Sequence, residues 1–232
     1  MVKEHLDDAI QDLASWQTLF DPSWFLILKV TSSLIDQDLS QNRGTASSII
    51  SACNLRDALK EEPSQKMSAS LPNKGLEVAR MRDIPFATTK CVPRTNSDSW
   101  LVLDRVACDS EADVHLLTKD VRELARKLSS VDPLTFRILQ CRGVVRVVES
   151  NSGKPSSFDF IFRMPKDLAD EAKSLRWYLM SHSEHTLSSR LQLAKGQAKS
   201  ISFVHTLGFV HKNVRPKTVL GFEHAGSVLG SF

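Results

Sequence analysis

The stretch HKNVRPKT, residues 211–218, sets His211, Asn213, Arg215 and Thr218 close together in one short segment. Arg215 carries a guanidinium suited to contacting a phosphate. Asn213 is a neutral amide that cannot take up a proton as a carboxylate does, and its short side chain suits a tight turn. Thr218 offers a hydroxyl, a poorer metal ligand than an amide carbonyl. His211 reads first as a hydrogen-bonded loop histidine. The segment can therefore touch an anion, but it holds no acid–base pair. Other chemistries have weaker support. Ser and His are abundant, yet none sits in G-x-S-x-G or another recognisable nucleophile setting. Cys53, Cys91, Cys108 and Cys141 are widely spaced, without a C-x-x-C pair or clustered His, which argues against a zinc site and a disulfide framework and for reduced, structural thiols.

The elements that must position this segment follow from hydrophobic spacing. In HLDDAIQDLASWQTLF, Leu6, Ile10, Leu13, Trp16 and Phe20 step by three and four, which predicts a helix. A second helix is predicted over DPSWFLILKVTSSLIDQDL, with Asp21 as N-cap and Pro22 at its first position, and a third over TASSIISACNLRDALKEE. Trp16, Trp24 and Phe25 are read as core at helical spacing in preference to a partner-binding patch. From Pro63 to Ser99 the composition shifts to Ser, Pro, Asn and Lys, which predicts a linker, with GLEVARMRDIPFATTKCV barely committed to a strand. WLVLDRV is predicted as a strand. ADVHLLTKDVRELARKLSSV follows as an amphipathic helix, its face formed by Val114, Leu117, Val121, Leu124 and Leu128, and Pro133 ends the pattern. GVVRVVES and SFDFIFRM flank the turn-rich NSGKPS as an antiparallel hairpin, with Phe158, Phe160 and Phe162 on one face. KSLRWYLMS reads as a short helix. A longer one covers TLSSRLQLAKGQAKSISFVHTLG, with Leu187, Leu191, Ala194, Ala198 and Ile201 expected toward the core and Gly208 at its C-terminal end.

Composition bounds the function. The 232 residues are 41% hydrophobic and 25% charged, ordinary values for a folded chain. The net charge of +3 is small, and Lys and Arg interleave with acids, as in KDVRELARK, which argues against a nucleic-acid partner. WFLILKV is far short of the roughly 20 residues of a membrane span. The N-terminus MVKEHLDDAIQDL has no apolar h-region, so a cytoplasmic, intracellular address is expected.

The predicted order of strand, helix, two strands, helix, helix and loop resembles a protein kinase from its third strand to its catalytic loop, over about residues 100 to 232. HKNVRPKT is similar to the kinase pattern H-R-D-L-x-x-x-N at His211, Lys212, Val214 and Pro216. More narrowly, FDPSWFL, LARKLSSVDPLTF and FVHKNVRP together resemble fungal kinase-like proteins with a helical N-terminal region of the heterokaryon-incompatibility, prion-inhibition type. The resemblance places Asn213 where the catalytic aspartate stands and Thr218 where an asparagine holds magnesium. It makes His211 a hinge of a nucleotide-handling loop, the less favoured reading of that residue. Asp104 and Arg105 fall where V-A-I-K places its lysine, and Asp120 falls near the helix glutamate, leaving an Arg105–Asp120 pair open. PFATTKCVPRTNSDSW lacks the glycines of a phosphate loop, no aspartate follows Asp170, and the D-F-G motif would begin about where the chain ends. Met164, in FRMPKD, is a hinge-like candidate for an adenine contact, against the plainer reading of a strand end broken by Pro165.

The expectation is an α+β protein: helical residues 1–62, a linker at 63–99, and a truncated kinase-like domain at 100–232. It would be a catalytically inactive pseudokinase, a regulatory module that binds another protein in intracellular signalling, with no metal and no cofactor. The alternative is an ATP-binding protein kinase represented by an incomplete chain, for which ATP and magnesium would be the cofactors.

Overall fold

The computed structural model describes residues 27–28, 30, 32–44, 47–60, 76–95, 99–109, 111–148, 155–164, 172–181, 186–209, 213–224 and 227–231. They form a mixed α+β structure. The first predicted helix, with Trp16, and the caps Asp21 and Pro22, with Trp24 and Phe25, lie outside the described residues. The second predicted helix is interrupted. Ile27 and Leu28 are helical, but Val30 and Ser32 are not, and a new helix α1 (Ser33–Gln41) starts after extended Ser32. Branched Val30 and hydroxyl-bearing Ser32 are poor helix interior but suit a boundary. α2 (Ser47–Lys60) lies where the third helix was predicted. Arg56, 3% exposed, ties it back to the preceding segment: its guanidinium donates to Asp36, to the carbonyls of Ile27 and Val30, and to that of Ser32.

The expected linker contains two strands, β1 (Arg82–Asp83) and β2 (Lys90–Pro93), which begin the main sheet. They escape a periodicity search because two to four residues cannot display a period. β3 (Trp100–Ala107), β4 (Cys141–Val148) and β5 (Pro155–Arg163) complete an antiparallel five-stranded sheet in the order β1-β2-β3-β5-β4. Alternation along the strands gives it two faces. Phe158, Phe160 and Phe162 join Val102 and Val144 in the main core, as their spacing predicts. Ile161 packs with Val92, Leu101, Leu103 and Val145 on the other face, covered in part by Leu76 and Met81.

Helix α3 (Val114–Ser129) lies between β3 and β4 in sequence and buries Val121, Ala125 and Leu128 in the main core. Asp113 caps it, its carboxylate accepting from the backbone N–H groups of His115 and Leu116. Pro133, which ends the pattern in the sequence, also opens a one-turn helix α4 (Pro133–Phe136), where its fixed φ suits a first helical position. A second sheet, β6-β7-β8, is built from β6 (Lys173–Ser174), β7 (Leu220–His224) and β8 (Ser227–Ser231), with α5 (Leu175–Met180) and α6 (Leu187–Thr206) between β6 and β7.

Helix α6 differs from expectation in its facing. Leu187, Leu191, Ala194 and Ala198 are exposed, and the buried residues are Ser200, Phe203, Val204 and Thr206 in its C-terminal part. Among the described residues, the apolar side chains of its N-terminal half have no buried face, and burial is confined to its C-terminal part. Gly208 ends the helix as predicted, at φ +86°. Its N–H bonds to the His205 carbonyl, and that of Phe209 to Val204, the paired bonds that a left-handed glycine permits. The N-terminal helices and the sheet share one interior. Leu28 and Leu55 belong to the same core as the sheet phenylalanines, and Arg126 of α3 donates to the Ala58 carbonyl of α2.

Candidate functional site

A cleft of about 570 Å³ opens between the main sheet, α3, the end of α6 and the loop before β7. Its walls are mostly apolar, from Val102, Phe160 and Phe162 of the sheet, Leu128 of α3, and Val204 and Phe209 of the α6 end. Asp104, Arg105, Lys217, Asn213 and three threonines, Thr88, Thr89 and Thr218, supply polar groups. The structure thus brings Asp104 and Arg105 of the strand and Asn213 and Thr218 of the loop to one cavity, whose size suits a small molecule.

Asp104 reaches the cleft because strand alternation sets it on the face of Val102 and Val106. It is half-buried, and among the described residues it has no hydrogen-bond or ion-pair partner. Burial pushes its carboxyl above the ordinary aspartate value, and the nearby Asp159 charge adds to the shift. Arg105, next in the chain, also lines the cleft, but its guanidinium is paired. Its Nε and Nη2 each donate to Asp159 at 2.7 Å, across the β3–β5 ladder. This fork holds the guanidinium further toward its charged form, although Arg105 is itself half-exposed. The pair left open in the sequence, Arg105 with Asp120, does not form: Asp120 is exposed on α3 and is not among the residues lining the cleft. Met164 is half-buried against the main core and also stands outside the cleft lining.

The loop residues are committed to local geometry. Thr218 Oγ1 donates to the Asn213 carbonyl at 2.7 Å and accepts from the Arg215 N–H at 3.0 Å, closing a turn. The Arg215 side chain is exposed and does not line the cleft. His211 lies outside the described residues. The loop is bolted to its surroundings through backbone: Thr88 N–H bonds to the Lys217 carbonyl, Arg176 N–H to Pro216, and Leu175 N–H to Val219. Thr89, on the same wall, buries an Oγ1 that has no partner among the described residues.

Lys127 fixes the far edge. Only 9% exposed, it donates to the Leu207 carbonyl at 2.9 Å, pairs with Glu123 at 2.7 Å, and lies over the Phe209 ring. Glu123 is held below the ordinary glutamate value, chiefly by that hydrogen bond. The sequence analysis missed Lys127, Asp159 and Lys217. Lys127 stands on the flank of α3 with Asp120 and Glu123, where a lysine reads as solvated, so the pattern held no signal for it; an aspartate alternating with three phenylalanines was the signal for the second. The four cysteines are free, and burial raises the Cys91 thiol to about 11 and the Cys141 thiol to about 12, so neither is a nucleophile. Among the described residues no group of three or more His, Cys, Asp or Glu could hold a metal ion, and no helix is long and apolar enough to cross a membrane. No protein-family model matches the chain, and no curated protein matches it.

Proposed function

We propose that the chain is a kinase-like binding module that does not transfer phosphate and that regulates another protein in intracellular signalling. The observation that carries this reading is the polar inventory of the cleft. Phosphoryl transfer needs a strand lysine on the nucleotide phosphates, a loop carboxylate to take the hydroxyl proton, and ligands for magnesium. At the corresponding positions stand Asp104, Asn213 and Thr218. A half-buried aspartate repels phosphate, an amide is no base, and the threonine hydroxyl is already committed to the loop backbone. Arg105, the neighbouring cation, is occupied by Asp159.

The order of elements supports the kinase-like part of the reading: a strand, a helix against the sheet, a hairpin, two helices and the loop, as the resemblance expects. A protein partner is supported by the apolar surface of α6, where Leu187 is 82% and Leu191 62% exposed, one turn apart on the helix. Incubation of the chain with magnesium and γ-labelled ATP, alone and with a generic protein substrate, tests the reading. No transfer above buffer is expected. Labelled product that disappears on substituting Asn213 would overturn it in favour of a phosphotransferase.

A further inference from the structure

We infer that the cleft is a binding site for a small organic cation: an aromatic or aliphatic body carrying a protonated amine, with the body against Phe160, Phe162 and Val204 and the ammonium on Asp104. Three features of the cavity lead there. Its volume of about 570 Å³ falls within the range of sites that enclose small ligands. Its walls are aromatic and aliphatic, so an apolar body is drawn out of water into it. Among the described residues its one carboxylate is Asp104, which is half-buried and lacks a partner there, a costly state that an incoming cation relieves.

The neighbouring charges sharpen the class. Arg105 lines the cleft too, but its Nε and Nη2 are held on Asp159 at 2.7 Å, and no ion pair joins it to Asp104. Lys217 also lines the cleft, but no ion pair joins it to Asp104. A phosphate or carboxylate ligand would meet Asp104 as a like charge. A neutral ligand would gain the walls but leave the carboxylate unpaired. This recognition stands on Asp104 and its neighbours alone, whatever the ancestry of the fold.

Three probes of matched shape separate these terms: 4-phenylbutylamine, 4-phenylbutan-1-ol and 4-phenylbutyrate, titrated into the full chain by calorimetry. A charge-assisted hydrogen bond predicts that the amine binds about tenfold or more tighter than the alcohol, with the carboxylate weakest. In Asp104→Asn, amine affinity should fall by about the same factor, to that of the alcohol, while the alcohol is unchanged. The ranking in the wild-type chain does not depend on the variant folding. Equal affinities for the three probes, binding of none, or an amine affinity unmoved in a folded Asp104→Asn chain would overturn the inference.

Discussion

Asp104 and Arg105 are neighbours in one strand and show how strand alternation assigns two charges to different roles. Arg105 stabilises through a fork onto Asp159, which is buried, so Arg105→Ala strands a carboxylate and should cost about 2 kcal/mol in urea unfolding. Asp104 acts in the other direction. Because its folded value lies above its unfolded one, its ionisation opposes folding once the pH has risen through both, and no such cost exists below the unfolded value. Asp104→Asn should therefore raise the thermal midpoint at pH 7 by about 2 °C, a gain that shrinks as the pH is lowered toward 4. A midpoint that falls at pH 7 would show that the carboxylate is stabilised in a way its surroundings do not reveal. The sequence showed both residues in WLVLDRV, and the period of two separates their faces. It did not show that Asp159 would stand opposite Arg105, since that register joins two strands more than fifty residues apart.

Among the elements, those with strong internal patterning were legible. Helix α3 shows its apolar stripe at three- and four-residue steps, and β5 shows three alternating phenylalanines, so each announced both its type and its buried face. Helix α6 announced its type and its glycine end but not its facing. Its inward contacts come from Ser200, Phe203 and Val204, and which face turns inward depends on α4 and the sheet, not on the helix alone. Ser200 makes that dependence concrete. Its buried hydroxyl lies 3.0 Å from both the Phe136 and Arg137 carbonyls, joining α6 to the turn after α4. Lys127 joins α3 to the C-cap of α6. Lys127→Met should destabilise the chain by about 2 kcal/mol, because the Leu207 carbonyl loses its donor and Glu123 its partner while the stem is still packed. Denaturant titration measures this, and a loss below about 0.5 kcal/mol would show that the junction does not depend on the ammonium.

For the whole molecule, the N-terminal helices and the sheet share one core, which composition could not show because the contacts run between Leu28 or Leu55 and residues far along the chain. Asp36 is central to holding that N-terminal region together. Hydrogen bonds from Arg56, then Lys60, hold its carboxyl down at about 2. The sign is that of a depressed acid: the stabilisation is full above the ordinary aspartate value of 3.8 and is lost as the pH falls through about 2. Asp36→Asn should flatten the acid-induced loss of stability between about pH 4 and pH 2, and an unchanged acid slope would contradict the role given to Asp36.

The cleft joins all these scales, since residues from the sheet, α3, α6 and the loop close it only when the fold is complete. The most direct measurement is a thermal melt of the whole chain with and without saturating magnesium and ATP, because a ligand that binds only the folded state must raise the midpoint. With Asp104 in place of a phosphate-anchoring lysine, one cooperative transition that ATP does not move is predicted. A midpoint raised by several degrees that climbs with the logarithm of the ATP concentration would contradict the account, since it would mean that the cleft accepts the nucleotide phosphates.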